Sequence, residues 1–548
     1  MGWWRPRTDV PQARGHMLDE MEYFAGKNAG HDAAMSIQGV SPRWCVTGER
    51  RQLTVLGWYE WARLGRAFTA EAQASLAKPR SEARLRQNEK GVWELTDVEE
   101  FVHRAGSPWA REWVVATDEG HGPRSAALRV EALYGAGDEN DLTLLKGEDF
   151  KEMKPGAASG VKVEFNGDVT TEHGKAFRLT AENSAAVKRG AWARAEKSYG
   201  FNGVDLGKGR IAFGLWVKGD GSGALLNLQF RTPAAFHIGI SDHYMRLDFT
   251  GWRYVTVLLR ERDAREFCNY IWPYGGYAAI YRTMVDPTHL GTFSAYLNDI
   301  PKGGKATVEV GEVRALTMVP NALENASVAV NGERFAVPFR MNAGEYAELD
   351  GGFWTHYSAK GEALARTAAA TRPTLKGGRN AVAFGCDGNG RAEVTMFALG
   401  RTRKAFVDKL TPAMKATMRY EGLMPFEYAP EKGLVPPKTI PVRPGETASL
   451  SLEIYGPATK PTFTFKSTFG QKETICAFDA EIRAGQRLVC RDGRKWCIET
   501  LKDGRTVKEG ELATPLPTLD GTTAFEFAAG LKNGAPCVVD ILKEYLGQ

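Results

Sequence analysis

The chain has 548 residues, of which 43% are hydrophobic and 25% charged, and its net charge is +5. That is the composition of folded globular protein and enough length for three to four domains. The interspersed charges exclude the basic stripe that nucleic acid or an anionic membrane requires, and no apolar run approaches the roughly 20 residues of a membrane-spanning helix.

Fourteen Trp, 17 Tyr and 60 Gly suit β-rich domains with many turns. Flat rings in such numbers serve as core or as platforms for the apolar faces of sugars. The seven cysteines (45, 268, 386, 476, 490, 497 and 537) form no CxxC pair and no zinc-spaced cluster with His. Four fall in the last 75 residues, where one or two disulfides or buried thiols both fit.

The opening Gly2-Trp3-Trp4-Arg5 reads as the end of a strand, with no basic start, apolar run and cleavage site of a secretory signal. Leu18 to Asn28 has helical spacing of its apolar residues, and Asp19, Glu20 and Glu22 crowd its positive end. Ala33 to Gln38 reads as a short strand, and a second helix is predicted over 52–76. Strand, helix, strand, helix implies parallel strands with crossover helices. Two such units are too few to close a barrel, so 1–78 is expected to be the end of a larger (β/α) barrel that begins before residue 1. Its apolar faces are then expected to lack partners.

From residue 79 the pattern turns to β. Short strands are predicted at 83–86, 91–95, 112–115 and 127–133, a post-barrel segment ending near 150 that packs on the α/β part or borrows strands from later in the chain. Alternation at 161–165, 211–217, 224–230 and 254–257 predicts a jelly-roll unit over 155–320. A further sandwich is expected over 321–435, with a hairpin at Asn331-Gly332 and an edge strand reaching Phe384. Pro436-Pro437 marks a linker before a C-terminal sandwich over 436–548. The predicted class is mainly β with an N-terminal α/β piece: a partial barrel end followed by several jelly-roll or immunoglobulin-like β-sandwiches.

In a parallel barrel the strand ends face the site. That places Trp3, Trp4 and Arg5 after one strand, and Ser36, Gln38 and Trp44 after the next, as candidate substrate contacts. The carboxylates available for glycoside hydrolysis, Asp19, Glu20, Glu22 and Asp32, sit where non-catalytic acids belong, so no catalytic residue is assigned. Five rings between Tyr270 and Tyr281, with Trp272 and Tyr274 among Gly and Pro, suit a carbohydrate platform or a domain contact. Trp252 is expected in the core, and His356 in a packed aromatic corner. No GxSxG, HExxH, Walker or dinucleotide-binding motif occurs. No cofactor is expected, though a structural calcium ion would suit such a sandwich.

The stretches Asp19-Glu20-Met21-Glu22-Tyr23, Gly91-Val92-Trp93-Glu94-Leu95, Leu128-Arg129-Val130-Glu131-Ala132-Leu133, Leu247-Asp248-Phe249-Thr250-Gly251-Trp252 and Trp272-Pro273-Tyr274-Gly275 together resemble large bacterial glycoside hydrolases, in which a TIM-barrel region precedes β-sandwich accessory domains. The resemblance implies an extracellular or periplasmic parent acting on a polysaccharide or glycoconjugate, with 155–320 similar to a galactose-binding or carbohydrate-binding jelly roll. This chain would supply part of the substrate wall and the accessory domains. A glycan-binding or cell-surface adhesion protein without catalysis is the alternative.

Overall fold

The computed structural model describes residues 17–37, 47–79, 81–88, 92–106, 109–184, 190–207, 209–233, 240–258, 288–361, 363–407, 420–422, 426–429, 439–442, 445–467, 473–501, 504–532 and 535–546. Strands dominate, and every ladder between described strands is antiparallel.

Three helices open the described chain: α1 (Leu18–Gly30), α2 (Thr47–Leu64) and α3 (Ala70–Ala77). The single helix predicted over 52–76 is broken. Gly65 follows α2, Arg66 takes a left-handed φ of 52°, and the Thr69 hydroxyl caps α3 by accepting from the Ala72 amide at 3.1 Å. Among the described residues of 17–78 no strand ladder forms, so the expected barrel end finds no support in them. The helices are also not short of partners. Met21, Ala25, Tyr59, Phe68 and Leu76 share one buried cluster with Leu85, Trp93 and Leu95 from the first two strands and with Ala405 and Phe406. An antiparallel sheet thus covers the apolar stripes that parallel strands were expected to cover.

That sheet joins distant parts of the sequence. Its strand order is Glu82–Gln87, Trp93–Ala105, Ala392–Lys404, Arg124–Ala132, Tyr346–Asp350, Phe353–Tyr357 and Ala363–Ala368, with Thr374–Leu375 beside Arg124–Ala132. A four-stranded sheet packs on it: Glu333–Ala336, Ser327–Val330, Gly378–Gly385 and Glu112–Thr117. Leu128, Val130, Val328, Phe335, Trp354, Phe384, Val394 and Met396 fill the space between them. The segments 79–133 and 321–407 therefore share one core. The strand Gly378–Gly385 lies between two others and not at an edge, because Glu112–Thr117 pairs on its second side. The Asn331-Gly332 turn has φ of 51° and 90°, both left-handed as a tight hairpin requires.

Between those two segments the chain builds a second body with its own core. Its seven-stranded sheet contains Gly135–Leu145, Val313–Val319, Ala212–Asp220, Lys305–Gly311, Gly174–Asn183 and Val161–Thr171 in that order, with Thr250–Leu258 beside Ala212–Asp220. The five-stranded sheet runs Ile240–Arg246, Leu225–Arg231, Thr292–Asn298, Ala193–Ser198, Lys154–Ala157. Phe177, Leu179, Phe213, Leu215, Leu226, Leu228, Phe230 and Phe293 lie between the two sheets. A third body, from Tyr420 to Leu546, pairs a seven-stranded with a five-stranded sheet around Leu452, Ile454, Phe463, Phe465, Trp496 and Phe525. The five described cysteines are free thiols.

Candidate functional site

Within the second body, alternation along the five-stranded sheet decides which side chains meet the core. Leu226, Leu228 and Phe230 point inward, and so do Phe293, Ala295 and Leu297. Their neighbours Asn227, Gln229 and Arg231, then Ser294 and Tyr296, occupy the opposite face. Register aligns these into rows. Tyr244, Asn227, Tyr296 and Arg194 form one, and Asp242, Gln229, Ser294 and Glu196 the next. Cross-strand neighbours of this kind stand about 5 Å apart and interact directly. Gly156 lies opposite Arg194, where a Cβ would come within 3.3 Å of the guanidinium, so the glycine leaves the side chain its place.

A connected set of polar bonds runs over this face. The Tyr296 hydroxyl accepts from Arg194 Nη1 and from Arg231 Nη2, each at 3.2 Å. Arg231 Nε donates to Gln229 Oε1 at 2.7 Å. Glu196 Oε2 accepts from Arg194 at 3.0 Å and from the Ser294 hydroxyl at 3.0 Å. Asp242 Oδ1 takes two amide donors, Asn227 Nδ2 and Gln229 Nε2, both at 2.8 Å. Burial pushes the Tyr296 hydroxyl above its ordinary pKa, opposed by the two arginines. Burial works against the Arg194 cation too, but its bond to Tyr296 and the nearby carboxylate hold it above its ordinary value.

Asn227, Gln229, Asp242, Ser294 and Tyr296 are buried. The side chains of Arg194, Glu196 and Arg231 stay 28%, 21% and 24% exposed. A buried polar layer thus fixes two guanidinium forks and one carboxylate that reach solvent. Such a layer has little reorganisation left to make when a hydroxylated ligand arrives. Asp242 and Glu196 lie at the two ends of one row, three strands apart, with their backbones roughly 14 Å apart at sheet spacing.

Other rings gather on the outer face of the seven-stranded sheet. His173 stacks on Trp216 at 3.6 Å, and Trp252 meets the same imidazole edge-on at 5.5 Å. Trp252 is half-buried here and not in the core, because it pairs with Lys218 on the face away from Val217. The imidazole already covers the indole face of Trp216.

Of the sequence-predicted contacts, Ser36 is exposed beyond α1. Trp3, Trp4, Arg5, Gln38, Trp44, Trp272 and Tyr274 lie outside the described residues. The four N-terminal carboxylates are structural. Asp19 pairs with the buried Arg129 at 2.6 Å, and Glu20 accepts from the Met17 amide. Glu22 is held by Arg86, Tyr59 and the Leu85 amide, and Asp32 pairs with Arg63 at 2.7 Å. His356 stacks near Phe339 and bonds Glu345 at 3.0 Å, the packed corner that was expected. Sequence reading missed the Arg194, Glu196, Gln229, Arg231, Asp242 and Tyr296 grouping. Its signal is in LLNLQFR and TFSAYLN, where Asn, Gln, Arg, Ser and Tyr alternate with apolar residues.

No family model matches the chain, and no curated protein matches it. Among solved structures the chain has a likeness to the family 11 carbohydrate-binding module of a cellulosomal cellulase of Clostridium thermocellum. The identity is 10% and the TM-score 0.24, over 33% of this chain and 95% of that one.

Proposed function

We propose that this chain binds carbohydrate through the off-core face of the five-stranded sheet. The carrying observation is the partly exposed trio Arg194, Glu196 and Arg231, held in place by the buried Tyr296, Ser294, Gln229, Asn227 and Asp242. Guanidinium forks and a carboxylate side by side bind vicinal hydroxyls, the feature common to most sugars. Asp242 is buried and its Oδ1 is taken up by the Asn227 and Gln229 amides, which suits a framework role and favours holding a sugar over cleaving it. Under this proposal the segment 155–320, together with the strand Gly135–Leu145, is a carbohydrate-binding jelly roll. The bodies on either side are accessory parts of a carbohydrate-active enzyme that acts outside the cytoplasm on a polysaccharide or glycoconjugate.

The test is a glycan array probed with the purified chain, followed by a hydrolysis assay on every glycan retained. The expected result is retention without turnover, lost in Arg231→Ala and weakened in Tyr296→Phe. Retention unchanged in both variants would move the site elsewhere, and turnover would make the chain an enzyme in its own right.

A further inference from the structure

The C-terminal body meets the shared sheet along a seam. Tyr455, Leu501 and Val538 are buried there, with Ala363 and Leu364 of the strand Ala363–Ala368 packed against them. On the same face of the C-terminal sheet, Glu453 and Asp540 are direct register partners. Two carboxylates so placed repel when both are ionised. Glu453 is fully engaged: it accepts from Arg487 Nη1 and from the Tyr455 hydroxyl, each at 3.0 Å, and Arg491 approaches it at 3.6 Å. Arg487 is in turn shared with Glu499 at 2.7 Å. Asp540 is not served in this way, and its Oδ1 is buried with no hydrogen-bond partner among the described residues.

We propose that Asp540 is a proton-operated latch for this seam, closing the C-terminal body onto the strand Ala363–Ala368 when protonated and loosening it when ionised. The groups facing it come from every side. Glu453 and Tyr455 belong to its neighbouring strand, Arg487 and Glu499 to the two strands beyond, and Arg366 to the strand across the seam. Arg51 comes from α2, where its Nη2 donates to the Tyr357 hydroxyl at 3.1 Å and its Nη1 to the Gly361 carbonyl at 2.9 Å. Burial first, and then the charge of Glu453, push the Asp540 carboxyl up to about 6, against the pull of Arg366, Arg51 and Arg487. A carboxyl whose pKa is raised by folding stabilises the closed form below its ordinary value, and that contribution is lost as pH rises through about 6. Acid therefore tightens this seam, the reverse of the usual behaviour of a paired carboxylate.

The test is hydrogen exchange of the full chain between pH 5 and 7.5, corrected for the intrinsic pH dependence of exchange, read at amides 363–368. A rise from 3.8 to about 6 is roughly two units, a factor of about 100 that accrues mostly between those two values, so across pH 5 to 7.5 protection is expected to fall by about tenfold. Asp540→Asn, which carries no charge at either pH, is expected to hold its protection throughout. A flat wild-type profile, or a variant that keeps the wild-type slope, overturns the proposal. Should the Asn variant fail to fold, Glu453→Gln gives an independent reading: its midpoint must move to lower pH, and an unmoved midpoint is equally fatal.

Discussion

Glu22 on α1 accepts the hydroxyl of Tyr59 on α2 at 3.0 Å, and both side chains are buried. The same carboxylate takes the Leu85 amide at 2.7 Å and Arg86 Nη1 at 2.8 Å. One side chain thereby ties two helices to the first strand of the shared sheet. Burial and the Glu22 charge push the Tyr59 hydroxyl well above its ordinary pKa, so it remains the donor. Glu22→Ala strands three donors and is expected to cost about 2 to 4 kcal/mol, against about 1 kcal/mol for Tyr59→Phe. A chain with several cores does not unfold as one unit, so the readout is hydrogen exchange of the α1 amides. Their acceleration by less than tenfold in Glu22→Ala would contradict this role.

Gly510 lies opposite Trp496 in the C-terminal sheet, and a Cβ at that position would fall 2.2 Å from the indole. Trp496 is buried in the core cluster and cannot lift away without losing its packing on neighbours such as Phe478. Gly510→Ala is expected to destabilise the C-terminal body by about 1 to 3 kcal/mol. Calorimetry of the full chain should show one transition shifted downward and the others unmoved; an unchanged trace would mean that the sheet yields freely.

Asp97 couples the shared sheet to α3. It pairs closely with Arg403 across the ladder and accepts from the Ser75 hydroxyl at 2.9 Å. Burial acts to raise its pKa, but the bonds from Arg403 and Ser75 outweigh it and hold the carboxyl below the ordinary 3.8. With a depressed folded-state pKa, its stabilisation is present above about pH 4 and drains away as pH falls further. Asp97→Asn should be less stable than the parent at pH 7 and should approach it near pH 3. Acid titrations of both proteins followed by circular dichroism test this, and parallel curves would refute it.

Arg231 holds Gln229 and Tyr296 with two different nitrogens. A lysine keeps the charge but cannot make that fork. If the off-core face binds sugar, Arg231→Lys should weaken affinity by about tenfold, or about 1.4 kcal/mol, with the melting temperature of the second body nearly unchanged. Titration calorimetry with the best array ligand decides it; equal affinity would show that charge alone suffices.

Much of the local structure was legible in sequence. Alternation located strands such as Leu225–Arg231 and Thr447–Tyr455, and helical spacing with clustered acids located α1. What escaped was pairing between distant segments. Nothing in 124–132 announces that its neighbours are 392–404 and 346–350, because ladder bonds are made by the backbone and carry no sequence label. The barrel expectation failed for a related reason. An apolar helical stripe shows that a partner exists and leaves open whether that partner is parallel strands or the antiparallel pair Glu82–Gln87 and Trp93–Ala105. The candidate site was hidden because its residues come from four strands spread over about 100 positions, and only register brings them together.

The ladder that joins the first and last strands of the second body pairs Gly135 with Val319. Residues paired in this way are about 5 Å apart, so everything between them forms a closed excursion from the host sandwich. Its removal would leave a gap that a two-residue turn spans, and an unrelated domain with adjacent termini would fit the same junction. The shared sheet is thus a socket, and the body that carries the candidate site departs from it and returns to it at one junction.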